Sequence, residues 1–233
     1  MSKDIKTPFG IISPEVSLIP IYYLIFIYGF VYIFPYGKNL IGVSWFDWLR
    51  SEDGPLEWLQ FFEYLSSSIL ALFIYVRRKK RKEINSLIWL AIAILSLLVA
   101  GEEISWGERL TGIGITTISN LNIQGETNFH NLPFFHNYLL DPVFEISCIF
   151  LGWFGWRKFK KIDAFPSKTL SLYFLFVALF YFYFDISWAS TTEQIRNDQE
   201  IFEFLLSSGM FIHCLKNFSK NKPIISDKTI RKS

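Results

Sequence analysis

Long stretches without charge constrain this chain more than any other feature of its sequence. Val16 to Pro35 carries no charged residue, and neither does Ser86 to Ala100, whereas charges crowd into the segments between such stretches. A helix needs about 20 mainly apolar residues to cross the hydrocarbon of a bilayer. Hydrophobic residues make up 51% of the 233 residues and charged residues only 19%, below the roughly 25% that is typical of soluble domains. The pattern therefore predicts a polytopic membrane protein and argues against a soluble globule.

Six stretches reach or approach the length of a membrane span. The fourth and the sixth are short, and each contains an acidic residue, Glu145 and Glu203 respectively. We predict an all-α, polytopic transmembrane helical bundle that forms a single domain, residues 1–215, followed by a polar cytoplasmic tail, residues 216–233. The predicted spans are 16–35, 56–76, 84–101, 142–156, 169–189 and 201–215.

Basic residues predict the orientation of these spans. They cluster after the second, fourth and sixth spans, in "RRKKRK" from Arg77, in "RKFKK" from Arg157 and in the tail from Lys216. With six spans and both termini in the cytoplasm, 19 of the 23 Lys and Arg residues lie on the cytoplasmic side, as the positive-inside rule requires. The expected location is the inner membrane of a bacterium, with membrane lipids as partners. The net charge of only +2 argues against nucleic acid, and the sequence points to no protein partner.

Acidic residues collect at the opposite, outer ends of the predicted helices. We expect three of them to be solvated: Glu52, Asp53 and Asp198. Others lie inside apolar sequence, where a charge usually faces the interior of the bundle and marks either a site or an ion pair. These are Glu57, Glu63, Glu145, Asp185 and Glu203, with Arg109 and Arg196 as the available ion-pair partners.

The segment "GEEISWGERL" follows the third span directly. If the helix continues through it, Glu102, Ser105 and Arg109 share one face, whereas Glu103 points across the bundle. The glycine on either side of this segment's acids would admit a second backbone closely. The alternative interpretation is a helix end capped by charge, with an interfacial tryptophan.

A second polar cluster, "NIQGETNFHNLPFFH", lies in the long outer segment after the third span. Carboxamides that alternate with Glu and His are typical of a hydrogen-bonding or metal-binding loop, although a solvated loop has a similar composition. Three histidines invite a comparison with membrane hydrolases of the alkaline ceramidase and adiponectin receptor type. The predicted topology argues against it, because His213 lies near the cytoplasmic side and His130 and His136 lie outside, separated by about 30 Å of hydrocarbon.

The segments "EDGPLEW", "GEEISWGERL" and "NIQGETNFHNL", in this order, resemble an uncharacterised family of bacterial polytopic membrane proteins. That family carries E-E-x-S-W-G at a helix exit and Q-x-E-x-N-x-H-N in the outer segment that follows, with glutamine at the position of Glu108. The resemblance covers roughly Glu52 to Leu132 and implies that these segments form one unit, but it implies no activity. The matching residues are Glu102, Glu103, Ser105, Trp106, Gly107, Gln124, Glu126, Asn128, His130 and Asn131.

These observations predict a polar pocket at the outer face, formed where Glu57, Glu102, Glu103 and His130 converge. The function we expect is an enzyme that acts on a lipid or a lipid-linked substrate. In it Glu102, Glu103 and His130 are acid/base groups or ligands of a divalent metal. Further expected binding residues are Glu57, Ser105, Arg109, Gln124, Glu126, Asn128, Asn131, Glu200 and Glu203. The alternatives are an assembly or sensor component and, less favoured because the inner halves of the spans are nearly all apolar, a transporter.

Overall fold

The computed structural model describes residues 5–7, 10–12, 14–33, 37–51, 53–122, 125–129, 132–134, 140–183 and 193–220. The chain is predominantly helical, as predicted, apart from a short antiparallel hairpin of strands β1 (Ile5–Thr7) and β2 (Gly10–Ile12). The α-helices are α1 (Ile19–Leu24), α2 (Gly37–Ile41), α3 (Val43–Leu49), α4 (Pro55–Lys80), α5 (Ser86–Glu103), α6 (Glu108–Thr111), α7 (Thr116–Ser119), α8 (Leu140–Ile149), α9 (Trp156–Lys158), α10 (Ser171–Tyr181) and α11 (Glu193–Lys220). Short 3₁₀ turns occupy Pro14–Leu18, Ser105–Gly107 and Lys168–Leu170, and π-helical turns occupy Ile25–Ile33 and Phe150–Gly155.

Three helices are long and apolar enough to cross a membrane: Val16–Ile33, Pro55–Lys80 and Ser86–Glu103. They correspond to the first three predicted spans, which were also identified by the hydropathy of consecutive residues. Stretch 142–156 lies within continuous helical structure from α8 to α9, and stretch 201–215 lies within α11. Stretch 169–189 begins in the 3₁₀ turn before α10, but its last part, which includes Asp185, lies outside the described residues.

Helix α4 packs between α5 and α11 at the centre of the bundle. Ser68 of α4 donates a hydrogen bond to the Ala93 carbonyl of α5 at 2.8 Å. Trp89 of α5 is fully buried and stacks on the His213 ring of α11, with ring centroids 5.3 Å apart. Helix α10 approaches the other side of α11 closely, since a Cβ atom added at Gly209 would stand 2.7 Å from the Cβ of Tyr173. These contacts pack four helices together around two buried apolar clusters, one that includes Trp89 and one that includes Tyr173.

The surface of α4 has the polarity expected in lipid. Its buried face carries Gln60 and Ser67, both fully buried, whereas Leu72 and Phe73 are about half exposed. Exposed apolar side chains continue along α5, with Leu95 among the most exposed. Soluble proteins rarely leave contiguous apolar surface of this kind uncovered. The two central helices thus turn polar side chains inward and apolar side chains outward.

The two ends of the bundle differ in charge. At the basic end, Arg78 of α4 forms an ion pair with Asp163, and the Arg77 guanidinium lies 4.4 Å from the ring centroid of Phe218 on α11. The acidic end comprises the start of α4, the last turn of α5 and the Glu200 region of α11. The three basic clusters of the sequence therefore meet at one end, and most of the predicted site residues lie at the other.

Candidate functional site

Arg109 is the centre of the acidic end. Its guanidinium contacts three carboxylates: Nε lies 2.8 Å from Asp53, one terminal nitrogen 2.6 Å from Glu57 and the other 3.2 Å from Glu126. The nitrogen that meets Glu57 also donates to the backbone carbonyl of Glu103 at 2.9 Å. One side chain of α6 thus connects the first turn of α4, the last turn of α5 and the loop that contains Glu126. The planar guanidinium suits this task, because its five donors point in fixed directions.

The charge of Arg109 is held firmly by these partners. Burial of the guanidinium by itself lowers its pKa, but the hydrogen bond and charge of Glu57, followed by the charges of Glu126 and Asp53, outweigh the burial and raise the pKa above its ordinary value. Arg109 therefore stays protonated under all physiological conditions and serves as a fixed cation.

Helix α5 ends at Glu103, so the prediction of a helix continuing to Arg109 is wrong. Ser105, Trp106 and Gly107 adopt left-handed backbone conformations, with φ of 47°, 53° and 92°. The Trp106 ring folds back onto Gly101, where an added Cβ would stand 2.9 Å from the ring. A side chain at this position would obstruct the ring, so the first glycine of the motif admits an indole and not a second backbone. The left-handed turn redirects the chain so that α6 lies beside α4.

The turn separates Glu102 from the residues that were predicted to share its face. One carboxylate oxygen of Glu102 accepts the Trp106 Nε1 hydrogen at 2.6 Å, and the other accepts the Phe129 backbone N–H at 2.7 Å. Ser105 and Arg109 instead meet at Glu126, whose Oε2 accepts the Ser105 hydroxyl at 2.6 Å. The segment is thus a helix end followed by a left-handed turn, and the Glu103 carbonyl at that end accepts a hydrogen bond from Arg109.

Residues 125–129 pack against this turn. Asn128 is fully buried, and its Nδ2 donates to Glu126 at 2.9 Å. Asn122 donates from its Nδ2 to the Asn128 side-chain oxygen at 2.6 Å, and Glu108 accepts the Thr127 backbone N–H at 2.6 Å. Buried amides of this kind need complete hydrogen bonding, because each unmet group costs about 1–3 kcal/mol. The described part of the second motif, Asn122 and residues 125–129, is therefore a structured support for the first motif and not a solvated loop.

A second set of carboxyl groups lies deeper in the bundle, around Glu103. The Glu103 side chain interacts electrostatically with Glu203, Glu200 and Glu57, and with Arg109. Within the described part of the chain, the Glu103 carboxylate has no hydrogen bond or ion pair, although its backbone carbonyl accepts from Arg109. Among the predicted site residues that the structure describes, Glu103 is the one whose side chain makes no hydrogen bond or ion pair that holds the fold together.

The neighbours of Glu103 are anchored by polar side chains of the helices. Gln60 of α4 is fully buried and donates to the Glu200 carboxylate at 2.8 Å. Tyr181 of α10 hydrogen-bonds to Glu203. Gln60 was not among the predicted site residues, although it lies three residues after Glu57 and three before Glu63, on one face of α4. That spacing was the signal that would have identified it.

Glu63 extends the polar contacts between α4 and α11. Its carboxylate accepts hydrogen bonds from Ser207 at 2.6 Å and from Ser208 at 2.9 Å. The described residues place no arginine beside it, so Glu63 is held by hydroxyl groups and not by the ion pair that the sequence offered as an alternative. These hydrogen bonds join α4 and α11 at a level between the Glu103 region and the basic end.

Asp198 was expected to be solvated, and that expectation is wrong. Its side chain is only 8% exposed and contacts Arg50 at 2.9 Å. The hydroxyl of Tyr32, in the first span, donates to Asp198 at 2.6 Å, and the hydroxyl of Tyr28 donates at 3.3 Å. This second buried ion pair fastens the first span and α3 to α11. Asp53, by contrast, is 63% exposed in its side chain, as predicted, although it also pairs with Arg109.

The structure thus distributes the predicted site residues over connected groups. Glu57, Arg109, Glu126, Ser105 and Asn128 form the Arg109 network, and Glu103, Glu200 and Glu203 form the neighbouring cluster. Glu102 supports the turn. Gln124, His130 and Asn131, like Glu52, lie outside the described residues. Among the residues that are described, no group of three or more His, Cys, Asp or Glu side chains is arranged to hold a metal ion.

Comparison with known proteins identified no relative of the chain. A scan against protein-family models, a search of curated proteins and a search of solved structures each found no match to the chain.

Proposed function

We propose that the chain is a six-span protein of the bacterial inner membrane and belongs to the family that its E-E-x-S-W-G and Q-x-E-x-N-x-H-N motifs resemble. In this proposal, its outer-facing acidic pocket carries out general acid–base chemistry on a lipid or lipid-linked substrate, and Glu103 transfers the proton. The single observation that carries the proposal is the uncommitted carboxyl group of Glu103 among three other glutamates.

The charge balance around Glu103 supports a proton-transfer role. Arg109 is the cation shared by this region, and its guanidinium already contacts Asp53, Glu57 and Glu126. Carboxylates that crowd a poorly solvated site repel one another, and a bound proton or cation relieves the repulsion. A carboxyl group that holds a proton and has no fixed hydrogen-bond partner is free to exchange that proton with a substrate.

The same charges narrow the substrate class. An excess of carboxylates repels a phosphate, so the reacting group in this proposal is uncharged or cationic: a hydroxyl, an amide or a glycosidic oxygen on a lipid anchor. Glu200 and Glu203 lie near Glu103 and supply a second carboxylate for a paired acid and base. Cells would present such a substrate to the pocket from the outer leaflet.

Lipid analysis of cells that produce single-site variants tests the proposal. Glu103→Gln preserves shape and removes the exchangeable proton, so a lipid species that depends on the wild-type protein should disappear. Glu145→Gln, a carboxyl group of α8 in a predicted span, is the matched control and should leave that species in place. Both variants should insert and fold like wild type. If lipid extracts of wild-type and Glu103→Gln cells are identical across neutral and cationic species, the catalytic role is refuted.

The contacts at the basic end support the proposed topology. Arg77 contacts Phe218, inside the last basic cluster, and Arg78 pairs with Asp163, two residues after "RKFKK"; six spans with cytoplasmic termini would bring these segments to one side. A cysteine introduced at exposed Asn120 should react with an impermeant maleimide in intact cells, and a cysteine at exposed Lys80 should not. The native cysteines are both buried, which keeps the background low. The opposite labelling pattern would place the pocket in the cytoplasm.

A non-enzymatic assembly component is the second candidate, and the Arg109 network favours it. Most of the motif residues hold the turn, the loop and α4 together, as a purely structural cluster would. In that case Glu103→Gln should leave the lipid profile unchanged while raising or preserving thermal stability, because it removes repulsion without removing a contact. The lipid profile therefore separates the two functions, since a folded variant is expected in both cases.

A further inference from the structure

A cavity of about 330 Å³ opens at the basic end of the bundle, far along α11 from Glu200 and Glu203. Residues from α9, from the connection between α9 and α10, and from the last two turns of α11 line it. Its volume lies at the lower limit of typical small-ligand sites. The residues of this cavity have no part in the proposed acid–base chemistry.

The lining of the cavity is strongly basic. Four lysines face it, Lys160, Lys168, Lys216 and Lys220, against a single acid, Asp163. The Asp163 carboxylate is already occupied by its ion pair with Arg78 of α4. None of the four lysines forms an ion pair with any carboxylate in the described ranges of the chain. The cavity therefore concentrates positive charge that the described protein does not neutralise.

Lys216 is the most informative of these residues. It is only 9% exposed, and its Nζ donates to Ser167 Oγ at 2.8 Å and to Thr169 Oγ1 at 3.4 Å. Both acceptors are neutral hydroxyls, and an ammonium group has three donors. Burying a charge without a counter-ion is costly, and Lys220 adds repulsion from one turn away. An anion in the cavity would complete the coordination of Lys216 and remove this cost.

We infer that this basic cavity binds a phosphate group, with Lys216 and Lys168 as charged ligands and the Ser167 hydroxyl as a further donor. Lysine ammonium groups and hydroxyls are ordinary phosphate ligands. Two sources share this chemistry: the headgroup of an anionic phospholipid and a dissolved phosphate. Basic pockets between transmembrane helices on the cytoplasmic side are recognised sites for anionic headgroups.

The aromatic residues around the cavity fit a site at the membrane surface. Trp156 and Phe159 line it, and the Lys168 ammonium lies 5.6 Å from the Trp156 ring centroid. The neighbouring Arg157 guanidinium lies 3.3 Å from the Trp153 ring centroid. Tryptophan and basic side chains together are typical of the boundary between acyl chains and headgroups.

Binding to the purified full-length protein in detergent tests the inference. Native mass spectrometry would count bound phosphatidylglycerol and phosphatidylcholine molecules after equal additions of each. Thermal unfolding in inorganic phosphate, compared with chloride at equal ionic strength, would report the dissolved ion. Retention of phosphatidylglycerol at least fivefold above phosphatidylcholine would identify a lipid headgroup, whereas a phosphate-specific rise in Tm without lipid preference would identify dissolved phosphate. Neither response from the wild-type protein overturns the proposal.

Three glutamine variants locate the binding. Each lysine near a phosphate is worth about 1 kcal/mol, so Lys216→Gln and Lys168→Gln should each weaken binding about fivefold. Lys80→Gln removes an exposed lysine of the same end that does not line the cavity, and it should bind like wild type. Equal losses in all three variants would mean diffuse attraction to a basic surface and would refute a defined site. If Lys216→Gln fails to fold, exposed Lys168 decides the question on its own.

Discussion

Replacing Arg109 by glutamine tests the central claim about the acidic end, that one guanidinium holds three segments together. The substitution keeps a polar side chain of similar reach and removes the cation. Arg109 is 14% exposed and Glu57 10% exposed in their side chains, and at 2.6 Å their contact is the shortest of the three ion pairs of Arg109. Removing one member of a buried ion pair leaves the other charge uncompensated, which costs about 3–5 kcal/mol.

The three carboxylate partners of Arg109 should contribute unequally to the free energy of unfolding. Asp53 is 63% exposed, so water screens its contact, and it should contribute at most about 0.5 kcal/mol. Glu126 is 27% exposed and keeps its hydrogen bonds to Ser105 and Asn128 when the arginine is removed. The loss should therefore come mainly from Glu57, and we expect Arg109→Gln to lower the free energy of unfolding by about 3 kcal/mol.

Reversible unfolding in mixed detergent and dodecyl sulfate micelles would measure these free energies. Double-mutant cycles that combine Arg109→Gln with Glu57→Gln or with Asp53→Asn separate the partners. The coupling energy with Glu57 should be about 2 kcal/mol and at least three times that with Asp53. A coupling to Asp53 as large as that to Glu57 would contradict the assignment of the buried pair as the main link, as would an Arg109→Gln protein as stable as wild type.

Three further substitutions test other contacts by the same unfolding measurement. Gly101→Val should cost about 1–3 kcal/mol and change tryptophan fluorescence, because its side chain meets the Trp106 ring; an unchanged spectrum would contradict the packing of the ring on Gly101. Asp198→Ala should cost about 3 kcal/mol, since it removes the buried partner of Arg50 and leaves only Asp47, whose side chain is 43% exposed; a loss below about 1 kcal/mol would argue against a desolvated pair. Ser68→Ala should cost only about 0.6 kcal/mol, the average for a hydrogen bond between membrane helices; a loss several times larger would show that this contact is more important than its geometry suggests.

Local hydropathy was sufficient to predict the helical class and the three apolar helices. Val16–Ile33, Pro55–Lys80 and Ser86–Glu103 match the predicted stretches because a membrane span is a property of consecutive residues. Periodicity contributed less, since it overlooked Gln60 on a face of α4 that already carried two glutamates.

The conformation of the segment after the third span could not be predicted from neighbouring residues alone. Its residue types correctly suggested a polar unit, but helical periodicity assigned the wrong neighbours to Glu102. Ser105 and Trp106 adopt positive φ values that non-glycine residues rarely take. Contacts distant in sequence hold them there, with Glu126 on Ser105 and the Phe129 backbone on Glu102. A short stretch of sequence cannot reveal these contacts, because the residues that make them are more than 20 positions apart.

The sequence by itself determined that the chain is built of helices with a charge-poor middle, one basic end and one acidic end, because each of these features follows from the composition of consecutive residues. Only the tertiary structure decided which charges meet. Arg50 reaches Asp198 across 148 positions, so a residue expected to be solvated is buried instead. Arg109 forms ion pairs with three other carboxylates, and the Glu103 carboxylate forms none with a described residue. Pairing of this kind depends on distances in space and on burial, and neither is encoded by the spacing of residues along the chain.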